Sequence, residues 1–497
     1  MLYISTRGNY QPVTSSQAIN LGMVPEGGLF VPQGIPSINY ADTIQCSYQE
    51  LAKQVFTPYL SDFTEEEIKW SVDTAYNAAN FDSDSIIKTI DLYQNMSVME
   101  LWHGPTAAFK DVALQIMPCF MQVAKKKSGN KAHTIILVAT SGDTGKAALE
   151  GFKDSEGISI IVFYPHEGVS EIQRLQMATT DGSNTHVVAV KGNFDDCQTG
   201  VKQIFSDIEI RKKLANNGFE FSSANSINWG RLCPQIVYYF KSYADLVENG
   251  KIKIGQKINF CIPTGNFGNI LAGFYAKQMG LPINKLICAS NKNRVLTDFF
   301  TSGTYNNNRE FFRTISPSMD ILISSNLERF LFEVTNHNSD KVSSWYDSLN
   351  QKSRFTVDAP TMETISSTIV SGWVDEHQIL STIKQTYEET GYVMDTHTSV
   401  GVALCKRLGI NDCHTVVAST ASPYKFSCDV LEGIDGSKAT DEFESITRIS
   451  ELSKTSVHRA LDHLKTRPVN HKNIIEISEM KAATQSIIDS IQTSSKG

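Results

Sequence analysis

Short apolar runs that end in a glycine-bearing turn and pass into a helix recur along this chain, and that alternation is what most limits its fold. HTIILVAT (His133–Thr140) leads into SGDTGKAALEGF (Ser141–Phe152), predicted to turn into a helix. ISIIVFYP (Ile158–Pro165) precedes a helix announced by the capping-box pair Ser170 and Gln173, and THVVAV (Thr185–Val190) precedes one predicted to reach about Leu214. The pattern resumes at INFCIPTGNFGN (Ile258–Asn269), continues with a helix through Met279, a strand KLICAS (Lys285–Ser290) and a helix from about Val295, and returns in a late strand at Thr415–Ser419. Apolar strands alternating with helices imply parallel pairing with both faces covered. The expected architecture is α/β: two doubly wound lobes with mainly parallel sheets, roughly 96–245 and 250–440 within a region 96–440. A mixed N-terminal segment, 1–95, precedes them, and a partly helical C-terminal segment, 441–497, follows.

The flanks carry weaker signals. Residues 64–79 read as a helix, with Thr64 and Glu67 in capping-box spacing, and Gly27 and Gly28 supply freedom for a tight turn. The stretch Thr304–Ser353 is polar and reads as an insertion or helical excursion. A chain of 497 residues has material for two or three domains at about 150 residues each. With 45 basic and 53 acidic residues the net charge is −8, and no long basic run occurs, which disfavours nucleic-acid or membrane-surface partners. Nine irregularly spaced cysteines without a CxxC pair point to reduced thiols in a cytoplasmic setting, and eleven histidines show no metal spacing. No secretory leader is read at the start, and no apolar run approaches the ~18 residues of a membrane span.

The chemistry concentrates in a few stretches. Lys110 lies in LWHGPTAAFKD (Leu101–Asp111) beside two alanines and Phe109. If buried there, its amine loses charge and becomes a nucleophile able to condense with an aldehyde; the plain alternative is a surface helix lysine. TGNFGN (Thr264–Asn269) and SGDTG (Ser141–Gly145) each sit where a strand ends and a helix begins. Backbone N–H groups at such turns converge on an anion, while a turn needing glycine for shape alone remains open for the first and a simple capped helix for the second. Neither stretch is GxGxxG or a phosphate-binding P-loop of the nucleotide type. Arg231, in NSINWGR with Asn225, suits an oxyanion or a loop ion pair. STASPYKF (Ser419–Phe426) offers hydroxyls at the C-terminal end of a strand, where open α/β sheets bind ligands.

Read together, STRG, EGGLFVP, HGPTAAFKD, ATSGDTG, SEIQRLQM, GNFDDCQ, NSINWGR, PTGNFGN, SPSMDILISSNLER, DTHTSVG and STASPYKF resemble the threonine synthase family, in family order from Ser5 to about Phe426. The resemblance implies a pyridoxal 5'-phosphate (PLP) enzyme of fold type II, the tryptophan-synthase-β fold. It implies Lys110 as the imine-forming catalytic lysine, Gly265, Asn266, Phe267, Gly268 and Asn269 as the cofactor phosphate loop, and Thr420 as the hydroxyl beside the pyridine nitrogen. Asp143 falls near the cofactor's phenolic oxygen, where related enzymes often carry Asn. An aspartate there faces like charge unless it is protonated or bridged. Ser141, Gly142, Thr144, Asn225 and Arg231 are candidates for holding the substrate. The implied reaction turns O-phospho-L-homoserine and water into L-threonine and phosphate, a carbon–oxygen lyase step that ends threonine biosynthesis, in a monomer or homodimer. A phospholyase releasing a keto acid from the same scaffold, and a non-catalytic cofactor-binding paralogue, are the competing readings. The family's STAHPAKF reads STASPYKF here, with Ser422 for His and Tyr424 for Ala.

Overall fold

A computed structural model of the chain describes residues 1–410 and 413–494. Two mainly parallel sheets organise it. The larger has six strands in the order Ile369–Trp373, Ile283–Ser290, Ile258–Pro263, Thr415–Ser419, Met96–Glu100 and Lys88–Tyr93. All neighbours are parallel except the last pair, an antiparallel hairpin. The smaller sheet is wholly parallel, in the order Asn473–Glu476, Thr185–Lys191, Ile158–Pro165, His133–Ala139 and Phe219–Ser222. Its central strand Ile158–Pro165 is buried along its whole length, as an apolar run covered on both faces requires.

The strands do not divide at 245–250 as the expected lobes do. Met96–Glu100 pairs with Thr415–Ser419 in the larger sheet, and Asn473–Glu476, expected in a separate C-terminal segment, forms an edge of the smaller one. The helix Met480–Ser494 then covers that sheet, Met480 and Ile488 packing with Val201 and Cys197. Parallel strands pair through long crossovers, so the partner of a strand is not written in its neighbours. The helix expected to reach Leu214 is two helices, Phe194–Ser206 and Ile208–Asn216. Asp207 separates them because its carboxylate caps the second, accepting from the Glu209 and Ile210 N–H groups at 3.0 Å. The polar stretch Thr304–Ser353 holds the helices Leu327–Val334 and Ser339–Lys352. The capping boxes read at Thr64–Glu67 and Ser170–Gln173 both form. No helix among the described residues is long and apolar enough to cross a membrane.

Both glycine turns lie at places where strand order reverses. Ile258–Pro263 has its sequence successor Ile283–Ser290 on one side and Thr415–Ser419 on the other; His133–Ala139 lies between Ile158–Pro165 and Phe219–Ser222. Chain leaving such strands goes to opposite sides and opens a crevice at their C-terminal ends.

The N-terminal segment is fastened to this frame. Trp229 of NSINWGR is fully buried and packs edge-on against Tyr3 (5.3 Å between centroids), Tyr59 (5.2 Å) and Tyr275 (5.4 Å). The Thr6 hydroxyl (2.6 Å) and the Arg7 guanidinium (two contacts of 3.0 Å) donate to the buried Glu328 carboxylate. Glu328→Gln keeps the shape and removes the charge, so it should lower stability by about 2 kcal/mol, the scale of hydrogen bonds to charged groups. Urea unfolding measures this, and an unchanged midpoint would show that the tether adds nothing.

Candidate active site

Lys110 opens a five-residue helix, Lys110–Leu114, and the preceding motif builds its presentation. Asp111 turns its buried carboxylate back on Thr106, accepting from its N–H at 2.8 Å and its hydroxyl at 2.7 Å. Burial pushes the Asp111 carboxyl up to about 6. Gly104 makes room: a Cβ there would lie 2.4 Å from that of Asp111. Ala107 takes a left-handed φ of 60°. The loop is clipped to the end of the strand Thr415–Ser419, since the Phe109 N–H donates to the Thr420 carbonyl at 2.9 Å and the Ser422 N–H to the Ala107 carbonyl at 3.1 Å. The HGPTAAFKD motif is thus mostly scaffold for one lysine.

That lysine points at Asp143, the first residue of the helix Asp143–Phe152. The Asp143 carboxylate is buried and takes four donors: Lys110 Nζ at 3.3 Å and Ser318 Oγ at 3.1 Å on Oδ2, Lys425 Nζ at 2.9 Å and Gln173 Nε2 at 3.0 Å on Oδ1. Burial alone would raise its proton affinity, but the Lys425 and Lys110 charges hold it well below the usual carboxylate range. Burial lowers the proton affinity of Lys110; Asp143 opposes this, and Lys425 and Arg231 add to it. Gly142, at φ 138°, lets the Gln173 amide approach; a Cβ there would lie 2.4 Å from the amide carbon.

The second turn is built for close approach as well. Phe267 holds a left-handed φ of 64°, which a buried phenyl ring stabilises by packing against Phe300 and Phe330. The helix Gly268–Gln278 starts directly after it without a side-chain cap, so its first N–H groups remain available to a ligand. A Cβ on Gly265 would lie 2.8 Å from the Ser318 carbonyl. The hydroxyls of Tyr238 and Tyr239 donate to Asn269 Oδ1 at 2.8 and 2.7 Å, and the buried Nδ2 of the same side chain has no protein acceptor. Asn266 is an anchor: its carbonyl accepts from Asn326 N and Nδ2, both at 3.1 Å.

Both turns, Lys110 and Thr420 face one cleft of about 2350 Å³ between the sheets. Arg231 reaches it as a buried guanidinium; Nη1 donates to the Ala224 carbonyl at 2.8 Å, Nε has no partner, and burial lowers its proton affinity to about 10. Ser141, Thr144 and Asn225 also line the cleft, Ser141 and Asn225 being exposed. Ser422 is buried with its hydroxyl unpartnered, and Tyr424 sends its hydroxyl to the Thr455 carbonyl at 2.9 Å. Four residues of the site were not read from sequence as site residues: Lys425, Ser318, His397, and Gln173, which was read only as a helix cap. His397 Nε2 accepts from the Ser318 N–H at 3.1 Å while its Nδ1 pairs with Asp395 at 2.7 Å. All four lie within stretches that carry the family resemblance, which is the only signal the sequence gives for them.

These residues fit PLP. A lysine of lowered proton affinity meets the need for an aldehyde partner, and an uncapped helix start with an orphaned Asn269 amide donor meets the need for a phosphate cradle. Gly265→Val would push the loop away from Ser318, so PLP affinity should fall tenfold or more, about 1.4 kcal/mol per factor of ten. Equilibrium dialysis of the folded variant reads this, and wild-type affinity would remove the loop from the phosphate site.

Residues 2–76 match the family described as threonine synthase N terminus, and residues 95–421 the pyridoxal-phosphate dependent enzyme family. The chain is 37% identical over 460 residues to threonine synthase of Schizosaccharomyces pombe, covering 85% of this chain and 87% of that protein. It is 38% identical over 474 residues to threonine synthase-like 1 of Macaca fascicularis, covering 93% of this chain; it spans 62% of the length of that relative. The crystal structure of PLP-bound threonine synthase from Brucella melitensis superposes with a TM-score of 0.88 at 34% identity, over 98% of each chain. Fold, cleft and sequence agree, and the chain belongs to the threonine synthase family of PLP-dependent enzymes of fold type II.

Proposed function

We propose that this protein is a threonine synthase, converting O-phospho-L-homoserine and water into L-threonine and phosphate. The observation that carries the reading is the Lys110 amine, its side chain only 11% exposed and 3.3 Å from Asp143, in a cleft also lined by two glycine turns at helix starts and by a buried arginine. PLP, when bound, supplies an electron-withdrawing ring conjugated to the substrate's nitrogen, which stabilises negative charge on the adjacent carbons. In this reading Lys110 anchors the cofactor and, once released as a neutral amine, takes the proton from the substrate α-carbon. Gly265, Asn266, Phe267, Gly268 and Asn269 hold the cofactor phosphate through backbone N–H groups and the free Asn269 amide. Thr420 offers the ring nitrogen a hydroxyl and no charge. Its backbone already fixes the loop before Lys110 through Phe109. The dianionic phosphate of the substrate needs donors, and Arg231, whose Nε is unpartnered, is the strongest candidate beside Ser141, Gly142, Thr144 and Asn225. Net chemistry breaks the γ-carbon–oxygen bond, with the electron pair leaving on phosphate; one β-carbon–hydrogen bond is lost as a proton, the γ-carbon gains a proton, and water adds its hydroxyl at the β-carbon, its remaining proton going to the phosphate. A reducing, cytoplasmic compartment suits the buried thiols at positions 119, 197, 233, 261, 288 and 405, none of them in a disulfide.

Two measurements test this. Purified protein supplied with PLP and O-phosphohomoserine should yield threonine and phosphate in equal amounts; 2-oxobutyrate in place of threonine would instead favour a phospholyase. Borohydride reduction and peptide mapping should place the pyridoxyl label on Lys110, and Lys110→Ala should reduce turnover by about a thousandfold, within the range for loss of a general base. Label on a different lysine would overturn the assignment.

A further inference from the structure

Asp143 carries a second lysine that the reaction as read above does not use. Lys425 lies in the turn Pro423–Phe426 after the strand Thr415–Ser419, and its side chain is fully buried. Its Nζ is fixed between Asp143 Oδ1 at 2.9 Å and the Thr106 carbonyl at 3.0 Å. Lys110 makes the longest of the four contacts to the carboxylate, 3.3 Å, and keeps 11% of its side chain exposed to the cleft. One lysine is locked on the anion, and the other touches it from the ligand side.

The arithmetic of charge gives this difference a purpose. A buried carboxylate with one lysine neighbour would hold that lysine as ammonium, because separating the pair leaves an uncompensated charge in low dielectric. An ammonium neither condenses with an aldehyde nor removes a proton. We propose that Lys425 is a positioning residue for Lys110: its locked ammonium neutralises Asp143 and leaves the Lys110 amine free to be uncharged. Arg231 adds positive potential at Lys110, and Asp111 and His458 face Lys425; Asp111 is itself satisfied by Thr106, and burial lowers His458 to about 4, leaving it neutral. Gln173 and Ser318 reach Asp143 as neutral donors.

The inference rests on Lys110 being the cofactor-bearing lysine, and one experiment separates the two claims. Full-length protein stripped of cofactor is mixed with PLP across a pH series, trapped with borohydride, and the initial rate of labelling at Lys110 is read by peptide mapping. Lys425→Met should move the midpoint of the pH–rate curve upward by about one unit, a roughly tenfold slower labelling at neutral pH. Lys425→Arg, which keeps the positive charge, should restore the wild-type midpoint. Asp143→Asn should move the midpoint below the wild-type value, since the carboxylate that favours the ammonium is gone. An unchanged midpoint in folded Lys425→Met, or an Arg variant that behaves like Met, overturns the inference. If Lys425→Met does not fold, Asp143→Asn decides, and a midpoint at or above wild type overturns it. Label on a lysine other than 110 in the wild type instead removes the reading on which the inference stands.

Discussion

The Asp143 carboxylate is the point on which the site depends. Four segments that are remote in sequence send a donor to it: the lysine helix at 110, the helix Glu171–Ala178, the loop at 318 and the turn at 425. A buried carboxylate is costly unless every lone pair is satisfied, so each donor constrains where its segment can sit. The carboxylate therefore acts as a gauge for the site, fixing the separation between the smaller sheet, which carries Asp143 and Gln173, and the larger one, which carries Lys425 and the loop before Lys110.

Close backbone approach is the second constraint, and it is met by two glycines. Gly142 admits Gln173 to Asp143, and Gly265 admits the Ser318 carbonyl to the turn before the helix Gly268–Gln278. Ser318 thus connects both turns, its hydroxyl on Asp143 and its carbonyl against Gly265, while its N–H is held by His397, itself fixed by Asp395. The chain from Asp395 through His397 and Ser318 to Asp143 couples the helix Thr396–Leu408 of the larger sheet to the first residue of a helix on the smaller.

Much of the site was legible before the fold. The strand-to-helix positions of SGDTG and TGNFGN and the capping pairs at Thr64 and Ser170 are local, because hydrogen bonds within a few residues decide them. Trp229 and Asn228, inside a motif read for its arginine, turned out to be scaffold: the indole fills an aromatic cluster and the Asn228 amide donates to the Ile19 carbonyl at 2.9 Å. Nothing in residue type separates such packing from ligand contact, since both favour buried, ordered side chains.

Sequence alone determined the class of fold and the strand-to-helix placement of the two glycine turns, since periodicity and turn chemistry act over a handful of residues. Tertiary structure decided which sheet each strand joined, placing Met96–Glu100 beside Thr415–Ser419 and Asn473–Glu476 beside Thr185–Lys191. It also decided that Lys425, 315 residues beyond Lys110 in the chain, shares its carboxylate. Parallel pairing leaves the order of strands to long crossovers, and charge neutralisation depends on distance in space, so neither is encoded in any local pattern of residues.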